Sequence, residues 1–209
     1  MSFIQSFWEG LQSATWLEYI AVCSGILSVW FSKKENVWVY PVGLINTTIY
    51  IYLSAKASLF GESAVNGYYT IMSLYGWWGW LQKDNMQTNY QLKITFSDRR
   101  WMLYQGGFFL IVFLLIFSSL FLLKDKFYAD TIPWADGLAS ASAFTGMWLM
   151  TRKKVESWYW WIITNIISAP LYIYKGYSLT GVYYFILLIL AVAGLHAWKF
   201  KAMKPHTKH

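Results

Sequence analysis

The stretch Trp158-Tyr-Trp-Trp161-Ile-Ile-Thr-Asn165-Ile-Ile-Ser168-Ala-Pro170 lies in a long apolar segment of the chain. Because an α-helix repeats every 3.6 residues, Trp158, Trp161 and Asn165 share one helical face. An unpartnered amide is costly in hydrocarbon, so Asn165 is expected to face protein or water. Two indole rings beside an amide suit a flat, polar ligand, including a cationic one. The alternative is that the tryptophans lie at a membrane interface and Asn165 bonds a neighbouring helix.

The composition indicates an integral membrane protein. The chain has 209 residues, of which 57% are hydrophobic, 21% aromatic and only 13% charged, whereas a soluble domain carries about 25% charge. The net charge of +7 comes from basic residues that bracket apolar runs, so we expect a lipid bilayer and no nucleic acid as partner. The single cysteine, Cys23, allows no disulfide within the chain.

No motif in the sequence favours an enzyme. An intramembrane hydrolase needs a nucleophile with a base, or a metal held by His and carboxylate ligands. No span pairs His with Asp, Glu or Ser at helical spacing, and neither a phosphate-binding glycine loop nor a His/Cys cluster with metal-ligand spacing is present. We therefore expect no enzyme activity, no metal and no cofactor.

The hydropathy pattern predicts an all-α membrane protein with seven transmembrane helices: 16–32, 37–55, 58–82, 101–123, 133–151, 156–175 and 179–199. Residues 1–15 are predicted to form an amphipathic segment at the interface, 83–100 a cytoplasmic linker and 200–209 a cytoplasmic tail. Lys and Arg concentrate in the loops on the side of the C-terminus, which predicts an outside N-terminus and a cytoplasmic C-terminus.

A shift of the chain by 120 positions aligns Lys33-Lys34 with Lys153-Lys154, Trp38 with Trp158 and Trp78 with Trp198. It predicts two parallel three-helix repeats, 16–82 and 133–199, joined by a connector helix, 101–123. Chance matching of common aromatics is the alternative. Parallel repeats about an axis along the membrane normal are typical of transporters that bind substrate near the bilayer midplane.

Polar residues inside the spans are the remaining candidates for substrate contacts. Ser and Thr in such positions also pack helices or bond the preceding turn. Glu62 and Asp136 lie near the outer ends of their spans, where solvation is the alternative, and Trp77, Trp78 and Trp80 are predicted to be interfacial aromatics. The candidate substrate-binding residues are Trp158, Trp161, Asn165, Asn66, Asn46, Tyr69, Ser73, Ser140 and Glu62.

Two motifs resemble a known family. Tyr-Gly-Trp-Trp-Gly-Trp (75–80) resembles the family's TyrGlyTrp motif, and residues 149–168 resemble its junction with the WxxWxxxN motif. The family is the Pnu vitamin transporters, best known as PnuC-type nicotinamide riboside transporters, whose fold is three helices, a connector and three helices, each half resembling a SemiSWEET subunit. The resemblance implies a substrate site at Trp158, Trp161 and Asn165, with Asn66 contributed by span 3; some members carry Gln at that last position.

The resemblance further implies facilitated uptake of a vitamin precursor across the inner membrane of a bacterium. Nicotinamide riboside is the first candidate, and thiamine or another vitamin or nucleoside on the same scaffold is the alternative. Alternating access would come from rocking of the two halves. Net uptake would be made unidirectional by phosphorylation in the cytoplasm, which implies functional coupling to a cytoplasmic kinase. A homo-oligomer is left open.

Overall fold

The computed structural model describes residues 3–56, 60–83, 92–127 and 131–204. Within these ranges the chain is almost entirely helical. The helices are α1 (Phe3–Ser13), α2 (Trp16–Lys33), α3 (Val39–Lys56), α4 (Phe60–Leu81), α5 (Arg99–Phe127), α6 (Pro133–Thr151), α7 (Ser157–Tyr174) and α8 (Ser178–Met203).

The first helix is short and separate from the second because Thr15 caps the start of α2. Its side chain accepts the N–H of Glu18, and the Glu18 carboxylate accepts the N–H of Thr15, which is a capping box. The axes of α1 and α2 meet at 109°. Phe3, Ile4 and Trp8 of α1 are exposed, while Ser6 donates to the carbonyl of Gly176 at 2.9 Å. The amphipathic N-terminal segment is thus a helix that packs along the start of α8.

The helices pack in two groups. In the first, α2, α3 and α4 pack in chain order; in the second, α5, α6, α7 and α8 do so. Contacts of α2 with α8 and of α4 with α6 join the groups.

Two pairs of helix starts recur at the same spacing. α3 begins at residue 39 and α7 at residue 157, 118 positions later, and both are 18 residues long. α4 begins at residue 60 and α8 at residue 178, which is again 118 positions later. The shift of 120 taken from the Lys pairs was therefore wrong by two positions. Lys33 is the last residue of α2, whereas Lys153 lies two residues beyond the end of α6.

Two described helices, Arg99–Leu123 and Ser178–Met203, are long and apolar enough by composition alone to cross a membrane. The bent pair formed by α1 and α2 makes a third if it counts as one span. The other described helices carry more polar side chains, and several of these are buried between helices, as Ser142, Thr145, Thr164 and Asn165 are in α6 and α7.

Candidate functional site

Trp161 lies on the face of α7 that is turned towards α6 and α4. Its indole nitrogen would be 3.3 Å from a Cβ built on Gly146, so the missing side chain gives the ring its place on α6. The centroid of the Tyr69 ring lies 6.3 Å away at 47°, and Tyr69 also contacts Phe144 at 6.0 Å. Two of the predicted residues, Trp161 and Tyr69, are therefore brought together, with Phe144 beside them.

Phe144 and Tyr68 complete this aromatic group and were not predicted from the sequence. The Tyr68 ring stacks on Phe144 with centroids 4.1 Å apart and planes at 7°. The Tyr68 hydroxyl donates to the Phe144 carbonyl at 3.0 Å. This contact fixes α4 against α6 and thereby sets where Tyr69 can meet Trp161.

Asn165 lies one turn further along α7 and is 2% exposed. Its Oδ1 atom has no hydrogen-bond partner among the described residues. An unpaired acceptor in a buried position is destabilising and rare in native proteins, so a partner from outside the chain is expected. The Asn165 oxygen therefore has an unused acceptor position, one helical turn from Trp161.

Trp158 lies at the start of α7, in the core. It is 1% exposed, and its ring meets Trp198 edge-on, with centroids 5.5 Å apart at 86°. A Cβ on Gly194 would come within 2.4 Å of the Trp158 ring, so this glycine admits the indole against α8. Trp158 thus packs against Trp198 and Gly194 of α8, whereas Trp161 meets α6 and α4.

The same packing recurs 118 positions earlier in the chain. Tyr40 meets Trp80 edge-on at 5.2 Å and 85°, and a Cβ on Gly76 would come within 2.4 Å of the Tyr40 hydroxyl oxygen. Trp80 is 2% exposed. The prediction of an interfacial role for Trp80 was therefore wrong, because Trp80 packs between Tyr40 and Trp198. Trp78 is exposed, as predicted for such an aromatic.

Asn46 lies in α3 and donates from Nδ2 to the carbonyl of Ala21 at 2.6 Å. A Cβ on Gly25 would lie 2.3 Å from the Tyr183 hydroxyl and 2.8 Å from Asn46 Nδ2. Gly25 thus lets an α8 tyrosine reach an α3 amide across α2. Tyr183 was missed by sequence reasoning, since a tyrosine in an aromatic-rich span carries no distinctive signal.

The other predicted residues have no hydrogen bond or ring contact with Trp161 or Asn165 in the described part of the chain. Asn66 donates to the carbonyl of Glu62 on its own helix at 2.9 Å. A Glu62 carboxylate oxygen is 3.5 Å from the Ser54 hydroxyl. Ser73 is buried and Ser140 half-buried.

An ion pair joins the first turn of α6 to the C-terminal end of α7. Lys175 Nζ is 2.8 Å from both carboxylate oxygens of Asp136. Asp136 also accepts the N–H of Ile132 at 2.7 Å and so caps α6. With 18% exposure, Asp136 is paired and largely buried, not solvated as the alternative interpretation had it.

At the opposite ends of the helices, Glu35 binds two lysines, Lys153 and Lys201, each at 2.9 Å. Burial acts to raise the pKa of Glu35, but the hydrogen bonds and charges of the two lysines outweigh it and lower that pKa below its ordinary value. Lys153 is 4% exposed and its Nζ lies 4.6 Å from the centroid of the Trp80 ring. Glu35 and Lys153 are 118 positions apart, and both have positive φ, 59° and 52°.

Residues 92–98, which belong to the predicted linker, contact the α6–α7 turn on which Lys153 lies. Thr95 donates its N–H to the Lys153 carbonyl at 3.2 Å and accepts the N–H of Val155 at 3.1 Å. Ser97 donates its N–H to the Glu156 carboxylate at 3.0 Å. The segment between α4 and α5 is therefore held against the α6–α7 turn by backbone hydrogen bonds.

No group of three or more His, Cys, Asp or Glu side chains that could hold a metal lies within residues 3–56, 60–83, 92–127 and 131–204. The amide of Asn165 can orient a ligand by a hydrogen bond, and the rings of Trp161 and Tyr69 can stack on it.

Comparisons with known proteins agree with one another. A sequence model of the family described as nicotinamide mononucleotide transporter matches residues 15–200. The nicotinamide riboside transporter PnuC of Escherichia coli (strain K12) is 24% identical over 204 residues, with 88% of this chain and 85% of the relative covered. The riboflavin/roseoflavin transporter RibM of Streptomyces davaonensis is 19% identical over 196 residues, with 92% and 89% covered.

A solved structure, the crystal structure of the vitamin B3 transporter PnuC, has the same fold. It matches with a TM-score of 0.69 at 22% identity, covering 96% of this chain and 89% of that one.

Proposed function

The chain belongs to the nicotinamide mononucleotide transporter family, and from this we propose that it takes up a vitamin precursor, nicotinamide riboside in the first place, by facilitated transport. It is a multi-pass membrane transporter and not an enzyme. The observation that carries the choice of substrate is the pairing of an aromatic surface with a buried, unpaired amide oxygen at Asn165.

The proposed binding mode follows from that pairing. The flat ring of the substrate stacks on Trp161, with Tyr69 beside it, and a donor on the substrate bonds Oδ1 of Asn165. A cationic pyridinium gains additional attraction from the indole face. Contact of Trp158 with the substrate would require Trp198 and Gly194 to move away, because the ring is packed between them.

The remaining predicted contacts, Asn46, Asn66, Ser73, Ser140 and Glu62, stay predictions. Asn46 is the best placed of them to meet a substrate between the two helix groups, since it donates a hydrogen bond to α2 and lies near Tyr183 of α8. A movement between the two helix groups would change its surroundings.

We further propose that α2–α4 and α6–α8 are parallel repeats, each resembling a SemiSWEET subunit, with α5 as the connector. The spacing of 118 between the starts of α3 and α7 and between those of α4 and α8 supports this arrangement. The packing supports it as well: the Tyr40 ring lies against Gly76 in the first group, and the Trp158 ring lies against Gly194 at the corresponding positions of the second. The described bounds fit the predicted segments within about four residues, and the largest differences lie at the ends of α5 (Phe127) and α8 (Met203).

Alternating access would occur between these two groups. The Glu35–Lys153 pair joins the α2–α3 turn to the α6–α7 turn, and Trp198 Nε1 donates to the Ser32 carbonyl at 3.0 Å. Both contacts must break for the cytoplasmic ends to separate. The substrate would then leave to the cytoplasm, where a kinase would trap it by phosphorylation; the N-terminus would lie outside.

Uptake into liposomes tests the proposal. Purified protein should equilibrate labelled nicotinamide riboside with saturable kinetics, and imposed ion gradients should leave the final internal level unchanged. Accumulation above equilibrium with a gradient would refute the uncoupled mechanism.

Thiamine, also a cationic aromatic compound, is the control ligand. If thiamine competes fully and nicotinamide riboside is not transported, the scaffold carries a different vitamin. If riboflavin alone is carried, the choice of a cationic ring is wrong as well.

A further inference from the structure

Oδ1 of Asn165 in α7 and Oγ of Ser142 in α6 are both buried without a partner among the described residues. Ser142 is 0% exposed. Helical serines usually bond the carbonyl one turn back, but Ser142 makes no such bond. The Ser142 hydroxyl therefore has both its donor and its acceptor capacity unused.

The contacts on either side of Ser142 show which surface it faces. Thr164 donates to the Ala139 carbonyl at 3.3 Å, and Trp161 lies over Gly146. Ser142 comes three residues after Ala139 and four before Gly146, so all three share one face of α6. The Ser142 hydroxyl thus faces α7 between Thr164 and Trp161.

The first helix group provides an internal comparison. The spacing of 118 relates Thr164 to Asn46 and Ala139 to Ala21. Asn46 donates to the Ala21 carbonyl as Thr164 donates to the Ala139 carbonyl. The side chains at the two contacts therefore correspond, and not only the helix ends.

At the positions that correspond to Ser142 and Asn165, the first group satisfies its polar atoms internally. Ser24 donates to the Ala21 carbonyl at 3.0 Å. Thr47 accepts from Thr70 Oγ1 at 2.9 Å. The unpaired atoms thus occur at these positions in the second group only, beside the ring on which a substrate would stack.

We propose that Ser142 is a further substrate-contacting residue and that it determines specificity together with Asn165. This rests on the function proposed above. The Asn165 oxygen accepts, and the Ser142 hydroxyl can donate to an adjacent acceptor. The pair matches a flat group that carries an N–H donor beside an acceptor in the plane of a stacked ring, as a primary carboxamide on a pyridinium does. A carboxylate at the same place has no donor and leaves Asn165 unpaired.

A purely structural serine would behave differently from a ligand contact. Removing an unpaired buried hydroxyl relieves a cost, so Ser142→Ala should leave Tm unchanged or raise it. A hydroxyl that bonds the substrate should also weaken binding about three- to tenfold when it is removed. Higher stability together with lower affinity is the expected signature.

The experiment is calorimetric titration of the full-length purified protein with two probes, nicotinamide riboside and nicotinic acid riboside. Wild type should prefer the carboxamide, and Ser142→Ala should lose affinity for it and lose most of that preference. Ser24→Ala is the matched control at the corresponding position and should leave both affinities unchanged. Ser142→Cys, which has nearly the same shape and a weaker donor, should fall between wild type and Ser142→Ala.

The outcomes separate this proposal from the proposed function. If wild type binds nicotinamide riboside and Ser142→Ala binds it equally well with the same preference, Ser142 does not contact the substrate and only this inference falls. If Ser24→Ala weakens binding as much as Ser142→Ala, the assignment of recognition to the second group is wrong. If wild type binds neither riboside, the proposed function fails and this inference fails with it.

Discussion

Replacing Glu35 by Gln should loosen the end of the protein at which the α2–α3 turn meets the α6–α7 turn. The carboxylate of Glu35 binds Nζ of Lys153 and of Lys201 at 2.9 Å each. Gln keeps the shape of the side chain and removes its charge. Lys153, only 4% exposed, would keep its contact with the Trp80 ring but lose the negative charge of Glu35.

The size of the effect follows from the burial of the groups. Removing one partner of a buried ion pair costs about 3–5 kcal/mol. The cation–π contact of Lys153 with Trp80 retains about 1–2 kcal/mol. Glu35 is 23% exposed, and Lys201, at 44%, adds little because solvent screens it. About 1–4 kcal/mol remains, a shift of roughly 5- to 900-fold towards a state in which this end of the protein is open.

Cysteine accessibility measures this shift. The exposed Cys23 is first replaced by Ala, so that it does not react. A cysteine is then introduced at Ser32, which is 3% exposed behind the Glu35 contact. The rate at which maleimide labels this cysteine reports how often this end of the protein opens. Glu35→Gln should raise that rate, and the exchange Glu35→Lys with Lys153→Glu should restore part of the protection. An unchanged rate in Glu35→Gln would refute the view that this ion pair holds the two helix groups together.

Other predictions concern the same packing. The folded state lowers the pKa of Glu35, so the ionised carboxylate stabilises the fold at pH values above its ordinary pKa. This stabilisation is lost as the pH falls through the lowered pKa. The Tm should therefore fall below about pH 4.5, and it should fall less in Glu35→Gln. Gly76→Ala and Gly194→Ala should each lower the free energy of unfolding by about 1–3 kcal/mol, because the added Cβ would lie about 2.4–2.5 Å from an aromatic side chain. Gly106→Ala is the control: its Cβ would enter open space, so it should leave the stability unchanged or raise it. Asp136→Asn, which weakens both the Lys175 pair and the α6 cap, should lower Tm.

The general architecture could be predicted from the sequence because long apolar runs and segregated charges have few alternatives. Fold family, transporter function and the helical character of α2–α8 were predicted, and the comparisons and the structure confirm them. The spacing of 118 between helix starts was not predicted. The two Lys pairs suggested 120, but Lys33 lies within α2, whereas Lys153 lies beyond the end of α6.

The candidate site was predicted less completely because periodicity gives a face but not its neighbour. Trp158 and Trp161 share a helical face in the sequence, but α8 receives the first ring and α6 the second. Asn66 bonds its own helix, which no sequence pattern distinguishes from a substrate contact. The unpaired Ser142 hydroxyl becomes visible only when every hydrogen bond around it is known.

The central claim is that the substrate ring stacks on Trp161, and titration of nicotinamide riboside into Trp161→Ala and Trp160→Ala tests it most directly. Trp160 packs on Phe109 at 4.8 Å and donates from Nε1 to Gln105 at 2.9 Å, so its loss should lower Tm and leave affinity unchanged. Trp161→Ala should weaken binding by about 1–3 kcal/mol, roughly ten- to a hundredfold. Equal losses of affinity in the two variants would contradict the stacking, and full affinity in Trp161→Ala would place the substrate elsewhere.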